Sequence, residues 1–383
     1  MAGQTNPTRK RSADGKQAPI LFRDLRKMVR TRKALEPTPE LALRFTIDVA
    51  SSGKPEIELR AQELEQGPSG SAGVDGYRLE LTVGAAAGAH VFPPSISCKK
   101  LPSTRKLKTA RPDDEVLRGH LPGHLALRPL PEKLPAELRV RPRIDSDRYR
   151  LVKGGNQATT VFTPDDRATF NDTSFPWCTL GRVDTAGGLG SGVMIGPRHL
   201  LTVSHAIVWN RNGTAGWVKF TPSYFDGSAP FGAAWGERVY FESKVTPPDI
   251  DGEEAKHDYV VVVLDRRLGD TTGWMGSRPY DHDWDGGTYW SHVGYPTDLA
   301  SGNRPCFQGD IALDGVGDEL HEAIHHRGDV WPGQSGGPFF AWWEGEEWPR
   351  AVSVQSWQNT GTNGASGGSH LVDLVIRARS EFP

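Results

Sequence analysis

The sequence contains no run of 18 apolar residues, which excludes a membrane-spanning helix. Cysteine is scarce: Cys98, Cys178 and Cys306 are the only three in 383 residues. Three cysteines cannot build a disulfide scaffold, and in a monomer at least one thiol stays free. The basic N-terminus, MAGQTNPTRKRSADGKQ, is followed by no apolar stretch. No secretion signal is readable there, so the expected location is cytoplasmic. There is no internal repeat. Glycine and proline, by contrast, are plentiful at 44 and 29 residues, and the chain is 37% hydrophobic and 24% charged. That mixture fits a globular protein of many turns and short elements, and the length suggests two or three domains.

The formal net charge of −2 conceals a split. Residues 1–155 carry 29 Lys and Arg against 18 Asp and Glu, whereas residues 156–383 carry 16 against 29. All 12 tryptophans lie after position 176. Two regions of such different composition read as separate units whose opposite charges favour docking on each other.

In the first region, Leu21, Phe22, Leu25, Met28, Val29 and Leu35 recur at helical spacing among basic residues. The pattern predicts an amphipathic helix over 19–35. Strict alternation predicts strands at 41–49 and 77–83, with a shorter one near Ile57 and Leu59. A small α+β unit over 1–97 follows, and no chemistry is legible in it. Residues 98–160 open with a stretch rich in Pro, Arg, Lys and Leu, whose spaced prolines break helices and favour extended chain. They read as a linker or a propeptide-like arm.

The remainder, 161–383, is a succession of short apolar runs between turns: GSGVMIG, HLLTVS, DYVVVVL, PFFAWW and AVSVQSW, with a short helix in DLVIRARSEF. This pattern predicts an all-β barrel or sandwich. Three polar residues sit at the edges of these strands, His205 after LLTVS, Asp258 before YVVVVL and Ser335 in PGQSGGP. A serine hydroxyl becomes nucleophilic when an imidazole takes its proton, and the imidazole needs a carboxylate to fix its tautomer. The glycines around Ser335 allow the N–H groups of Gly333 and Ser335 to converge on a developing oxyanion.

LLTVSHA, HDYVVVVL and PGQSGGP resemble the His, Asp and Ser motifs of chymotrypsin-fold serine endopeptidases. The resemblance spans about residues 161–380, and VFTPDDR at 161–167 resembles the start of the mature domain in the group related to the glutamyl endopeptidases. It implies a double β-barrel with His205, Asp258 and Ser335 as a catalytic triad, acting on protein or peptide substrates without cofactor, metal or nucleic acid. It also favours export as the alternative to a cytoplasmic location. Asp329, six residues before Ser335, stands where trypsin-like enzymes bind Lys or Arg, and it tilts the expected preference that way. Gln355 takes the place of the His that glutamyl enzymes use for substrate. Ser356 and Trp357 resemble the rail that pairs with substrate, and Ser356 also supports Asp258. Gln334 precedes the serine where trypsin-like zymogens have Asp, so pairing with a newly cut N-terminus is not available.

Two rival motifs overlap this reading. GQSGG fits the nucleophile elbow of α/β-hydrolases, which requires a helix after the serine. His321-Glu322-Ala323-Ile324-His325 is H-E-x-x-H, a zinc-metallopeptidase signature that requires a helix through both histidines. A third alternative is a binding protein on an inactive protease fold.

Overall fold

The computed structural model describes residues 17–27, 32–35, 96–100, 115–140 and 161–383 except 248, 249, 251, 318, 319 and 360. It also describes the backbone of 56–63, 77–84, 148–151 and 158–160. The chain divides into two compact units, 40–94 and the rest. In the smaller unit Glu56–Glu63 pairs antiparallel with Tyr77–Gly84. The strand expected at 41–49 lies outside the described residues.

Twelve strands of the larger unit form two barrels. The first contains β1 (Leu180–Thr185), β2 (Gly188–Gly196), β3 (His199–Thr202), β4 (Val218–Pro222), β5 (Ala234–Phe241) and β6 (Val260–Leu264). They pair antiparallel in the order β5-β4-β1-β2-β3-β6, and β6 returns to β5, so the sheet closes. The second contains β7 (Thr288–Gly294), β8 (Cys306–Gly317), β9 (Glu322–His326), β10 (Pro338–Ala341), β11 (Arg350–Gln358) and β12 (Asn363–Gly367). Its order, β11-β10-β7-β8-β9-β12 with β12 returning to β11, repeats the connectivity of the first. This is the chymotrypsin-like double barrel.

Burial on both faces explains the unbroken apolar runs. Strand side chains alternate between faces. In β6, Val260, Val262 and Leu264 enter the core of the first barrel, while Val261 and Val263 face a second core. That second core contains residues of both barrels, Val293 and Phe340 among them, and of the terminal helix Ser369–Glu381. The helix contributes Leu371, Leu374, Val375 and Ala378, the spacing of one helical face. The inside of the second barrel is aromatic, with Trp284, Trp290 and Trp343 packed edge to face around Val352 and Ile324.

Residues upstream of 161 also belong to this unit. Ile96–Lys100 lies parallel to β5. The Ile20 N–H donates to the Trp342 carbonyl at 2.7 Å, and Arg32 and Leu127 exchange two backbone hydrogen bonds. Phe22, Leu25, Leu125 and Leu127 pack with Phe175, Cys178, Phe231 and Trp342 in a further core. Among the described residues of 19–35, helix forms over Phe22–Leu25 and not at 26–27 or 32–35, where the periodicity also predicts it. The apolar positions 22 and 25 are buried in the core, but the backbone at Ile20 and Arg32 is committed to bonds with Trp342 and Leu127, far along the chain. All three cysteines are free thiols.

Both rival motifs meet a strand where they need a helix. The segment after Ser335 is β10, and His321-Glu322-x-x-His325 runs into β9. On a strand the two histidines do not share one helical face. His321 contacts Glu242, whereas His325 packs on Trp357.

Candidate active site

β3 and β6 are neighbours, with Thr202 opposite Val260. The end of one strand therefore lies beside the start of the other, which brings His205 and Asp258 together across 53 residues of sequence. The Asp258 carboxylate is fully buried and accepts three hydrogen bonds. His205 Nδ1–H donates to Oδ2 at 2.6 Å, Ser356 Oγ–H donates to the same oxygen at 2.6 Å, and the His205 backbone N–H donates to Oδ1 at 2.8 Å. Burial alone raises Asp258, but the charge of His205 and these bonds outweigh it and hold the carboxyl below its usual range. Burial likewise lowers His205, and the Asp258 charge and hydrogen bond reverse that and leave the imidazole raised. With Nδ1 committed as a donor, the neutral ring keeps its lone pair on Nε2. Ser356 reaches Asp258 where β11 bulges between Gln355 and Trp357.

Ser335 lies in the loop before β10, and strand β2 fastens that loop to the first barrel. The Ser191 N–H donates to the Ser335 carbonyl at 2.7 Å, and Ser191 Oγ–H donates to the Gly333 carbonyl at 2.7 Å. A Cβ added at Gly190 would lie 3.1 Å from the Ser335 carbonyl oxygen and 3.9 Å from the Ala206 Cβ, so the loops of Ser335 and His205 flank one point. Gly336, at φ 83°, passes so close to β2 that a Cβ there would sit 2.3 Å from the Ser191 carbonyl.

The Pro332 carbonyl accepts both the Thr297 N–H at 2.9 Å and Thr297 Oγ–H at 3.0 Å. In a trans peptide the N–H and C=O point to opposite sides. Anchoring that carbonyl therefore turns the Gly333 N–H the other way, with Gly333 at φ 103°. Among the described residues, neither the Gly333 N–H nor the Ser335 N–H has a hydrogen-bond acceptor.

Gln334 is buried beneath this loop. Its Oε1 accepts from Arg167 Nη1 at 2.9 Å and from the Trp331 N–H at 3.0 Å. All five N–H groups of Arg167 are used: three go to Asp165 and Asp298 through Nε and Nη2, and Nη1 reaches Asp298 and Gln334. Burial opposes the guanidinium charge, but the two carboxylates raise its pKa above the ordinary value. Sequence reasoning missed Arg167, Asp298, Thr297 and Ser191. Only the DDR of VFTPDDR carried a trace of the first.

The remaining expected site residues are placed as follows. Asp329 is 1% exposed. Its oxygens accept from the Phe162 N–H at 2.7 Å, the Asp166 N–H at 3.0 Å and Gln308 Nε2 at 2.9 Å. Burial raises it to about 6 against those bonds. Gln355 is also buried, with Oε1 accepting from His326 Nε2–H at 2.9 Å and Nε2 donating to the Trp357 carbonyl at 3.0 Å. The Gly328 N–H donates to His326 Nδ1, which fixes that tautomer, and burial brings His326 down to about 3. Trp357 packs edge-on to His325. Asp329 and Gln355 thus face inward, whereas His205, Asp258 and Ser356 form one hydrogen-bonded group.

No family model matches the chain. It is 28% identical over 183 residues, 47% of its own length, to a glutamyl endopeptidase of Bacillus licheniformis, and spans 54% of that relative. Among solved structures, a Glu endopeptidase in complex with MPD matches with TM-score 0.48 and 20% identity, over 57% of this chain and 99% of the other. The protease Anisep from Arthrobacter nicotinovorans matches with TM-score 0.37 and 19% identity, over 53% and 93%. The barrel topology is that of the chymotrypsin-like fold, and the sequence over the barrels is similar to that of a glutamyl endopeptidase.

Proposed function

We propose that the protein is a serine endopeptidase acting on protein or peptide substrates. His205 Nε2 takes the Ser335 Oγ proton as Oγ attacks the peptide carbonyl carbon. The carbonyl oxygen gains charge and accepts the Gly333 and Ser335 N–H groups. His205 then passes the proton to the leaving amine, and a water hydrolyses the acyl-enzyme by the same route. The observation that carries this reading is the buried Asp258 holding His205 Nδ1–H through one oxygen and the His205 backbone through the other. That arrangement fixes the ring and its tautomer, and it stabilises the imidazolium that forms during transfer. The two N–H groups without acceptors at the Ser335 loop support the assignment of the oxyanion site.

In this reading Arg167 is a positioning residue. Trypsin-like zymogens order the serine loop by inserting a new terminal amine; here a guanidinium already inside the chain holds Gln334. Asp329 is a brace rather than a specificity residue, because its acceptors are committed to the 162–166 backbone and Gln308. Residues 17–27 and 115–140 complete the fold through the shared apolar core rather than acting as a detachable inhibitor.

The test is hydrolysis of a mixed peptide library by the full chain and by Ser335→Ala. The variant should lose activity by several orders of magnitude while keeping the fold. Undiminished hydrolysis by Ser335→Ala overturns the assignment.

A further inference from the structure

Away from Ser335, three imidazoles gather around one carboxylate. Glu242 follows β5, His257 closes the one-turn helix Glu254–His257, His321 precedes β9, and His370 is the second residue of the terminal helix. These positions come from the end of β5, the connection between β5 and β6 of the first barrel, the entry to β9 of the second barrel, and the terminal helix. Glu242 Oε1 lies 3.0 Å from His321 Nε2 and 2.9 Å from His370 Nδ1. Its Oε2 accepts from the Tyr259 hydroxyl at 2.8 Å and lies 3.5 Å from His257 Nδ1. Ligand atoms of Glu242, His257 and His321 all fall within 4.8 Å of one another.

Hydrogen bonding alone leaves this group incomplete. His257 Nδ1 is buried without a hydrogen-bond partner among the described residues, although it faces the carboxylate. The imidazole rings lie 4.3 and 4.0 Å apart, so their nitrogens converge beside the one carboxylate. A divalent ion among them takes lone pairs from neutral rings and satisfies the orphaned nitrogen. Nitrogen-rich donors with one carboxylate select a zinc-class ion, whereas calcium and magnesium require oxygen ligands.

We propose that Glu242, His257 and His321 bind one Zn²⁺ ion, with His370 holding the carboxylate in place through Oε1. The ion ties the first barrel, the second barrel and the segment leading into residue 258 together. This site takes one histidine of the H-E-x-x-H motif and leaves the other, so it is no metallopeptidase centre, and it stands independently of the Ser335 reading. The sequence-based expectation of a metal-free protein changes accordingly.

The test uses the full chain, stripped with a strong chelator and desalted, then titrated with Zn²⁺ alone against a chromophoric competitor. One equivalent should bind, and Co²⁺ in its place should give d–d absorption of a low-symmetry site. Tm should rise with Zn²⁺ and not with Ca²⁺ or Mg²⁺. Glu242→Gln and His321→Gln should weaken binding by more than about tenfold. His325→Gln, the other half of the motif, should bind as the parent does. Failure of the parent chain to bind Zn²⁺ above the competitor overturns the proposal whether or not the variants fold. Equal loss in His325→Gln overturns this ligand set.

Discussion

Replacing Arg167 by Met should be one of the most damaging single changes outside the three reacting residues. The side chain is 1% exposed, and it neutralises Asp165 and Asp298, themselves 4% and 5% exposed. Met matches much of the volume but supplies none of the five donors. Two carboxylates would then be buried beside each other without a cation. Breaking a buried pair in this way costs about 3–5 kcal/mol. A typical domain has about 5–15 kcal/mol in total, so the variant should still fold at 25 °C but with a much lower denaturation midpoint. Gln334 would keep the Trp331 N–H and lose its Arg167 bond, so the Gly333–Ser335 loop should loosen and kcat fall more than KM rises. Arg167→Lys keeps the charge with three donors instead of five and should fall between the two. The assays are guanidinium unfolding at constant m-value and kcat and KM on one peptide substrate. A destabilisation of Arg167→Met below about 1 kcal/mol, the size expected for an exposed ion pair, would refute the reasoning.

Three further outcomes are expected. Since Asp258 raises the pKa of His205, kcat/KM should fall on the acid side with a midpoint above the ordinary imidazole value of about 6.5. The same shift stabilises the fold below that value, and the contribution fades as pH rises through the folded-state pKa; a pH–rate profile and pH-dependent unfolding check both. Ser356→Ala removes one of three hydrogen bonds to a buried charge and should cost about 1.5–3 kcal/mol of stability with reduced kcat, measured by denaturation and kinetics. A fragment beginning at residue 161 loses Phe22, Leu25, Leu125 and Leu127 from a shared core, at up to about 1.5–3 kcal/mol each, and circular dichroism should find it unfolded or molten rather than hyperactive.

Much of the barrel region was legible because its strands are buried on both faces. The runs DYVVVVL at 258–264 and GSGVMIG at 190–196 read as apolar for the same reason that their strands separate two cores. His205 and Asp258 were legible as candidates because each flanks such a run. What escaped was whatever depends on distant partners. Arg167 meets Asp298 and Gln334 across 131 and 167 residues, and no local pattern announces such a pair. Asp329 stands where trypsin-like enzymes bind Lys or Arg, and the sequence does not reveal that the Phe162 and Asp166 N–H groups cap it. Over the described residues the 19–35 periodicity overstates the helix, because the apolar spacing at Phe22 and Leu25 serves a short turn docked on a barrel. The H-E-x-x-H match was a coincidence of spacing on a strand, although its first histidine does join a cluster built from three other elements.

The central claim is that Ser335 is a nucleophile activated by His205. It is tested most directly by treating the native full chain with a fluorophosphonate and locating the adduct by peptide mass spectrometry. The account predicts one adduct per chain, on Ser335, with labelling that slows by orders of magnitude in His205→Ala. A folded native chain that takes no label, or that carries it on another residue, would contradict the account.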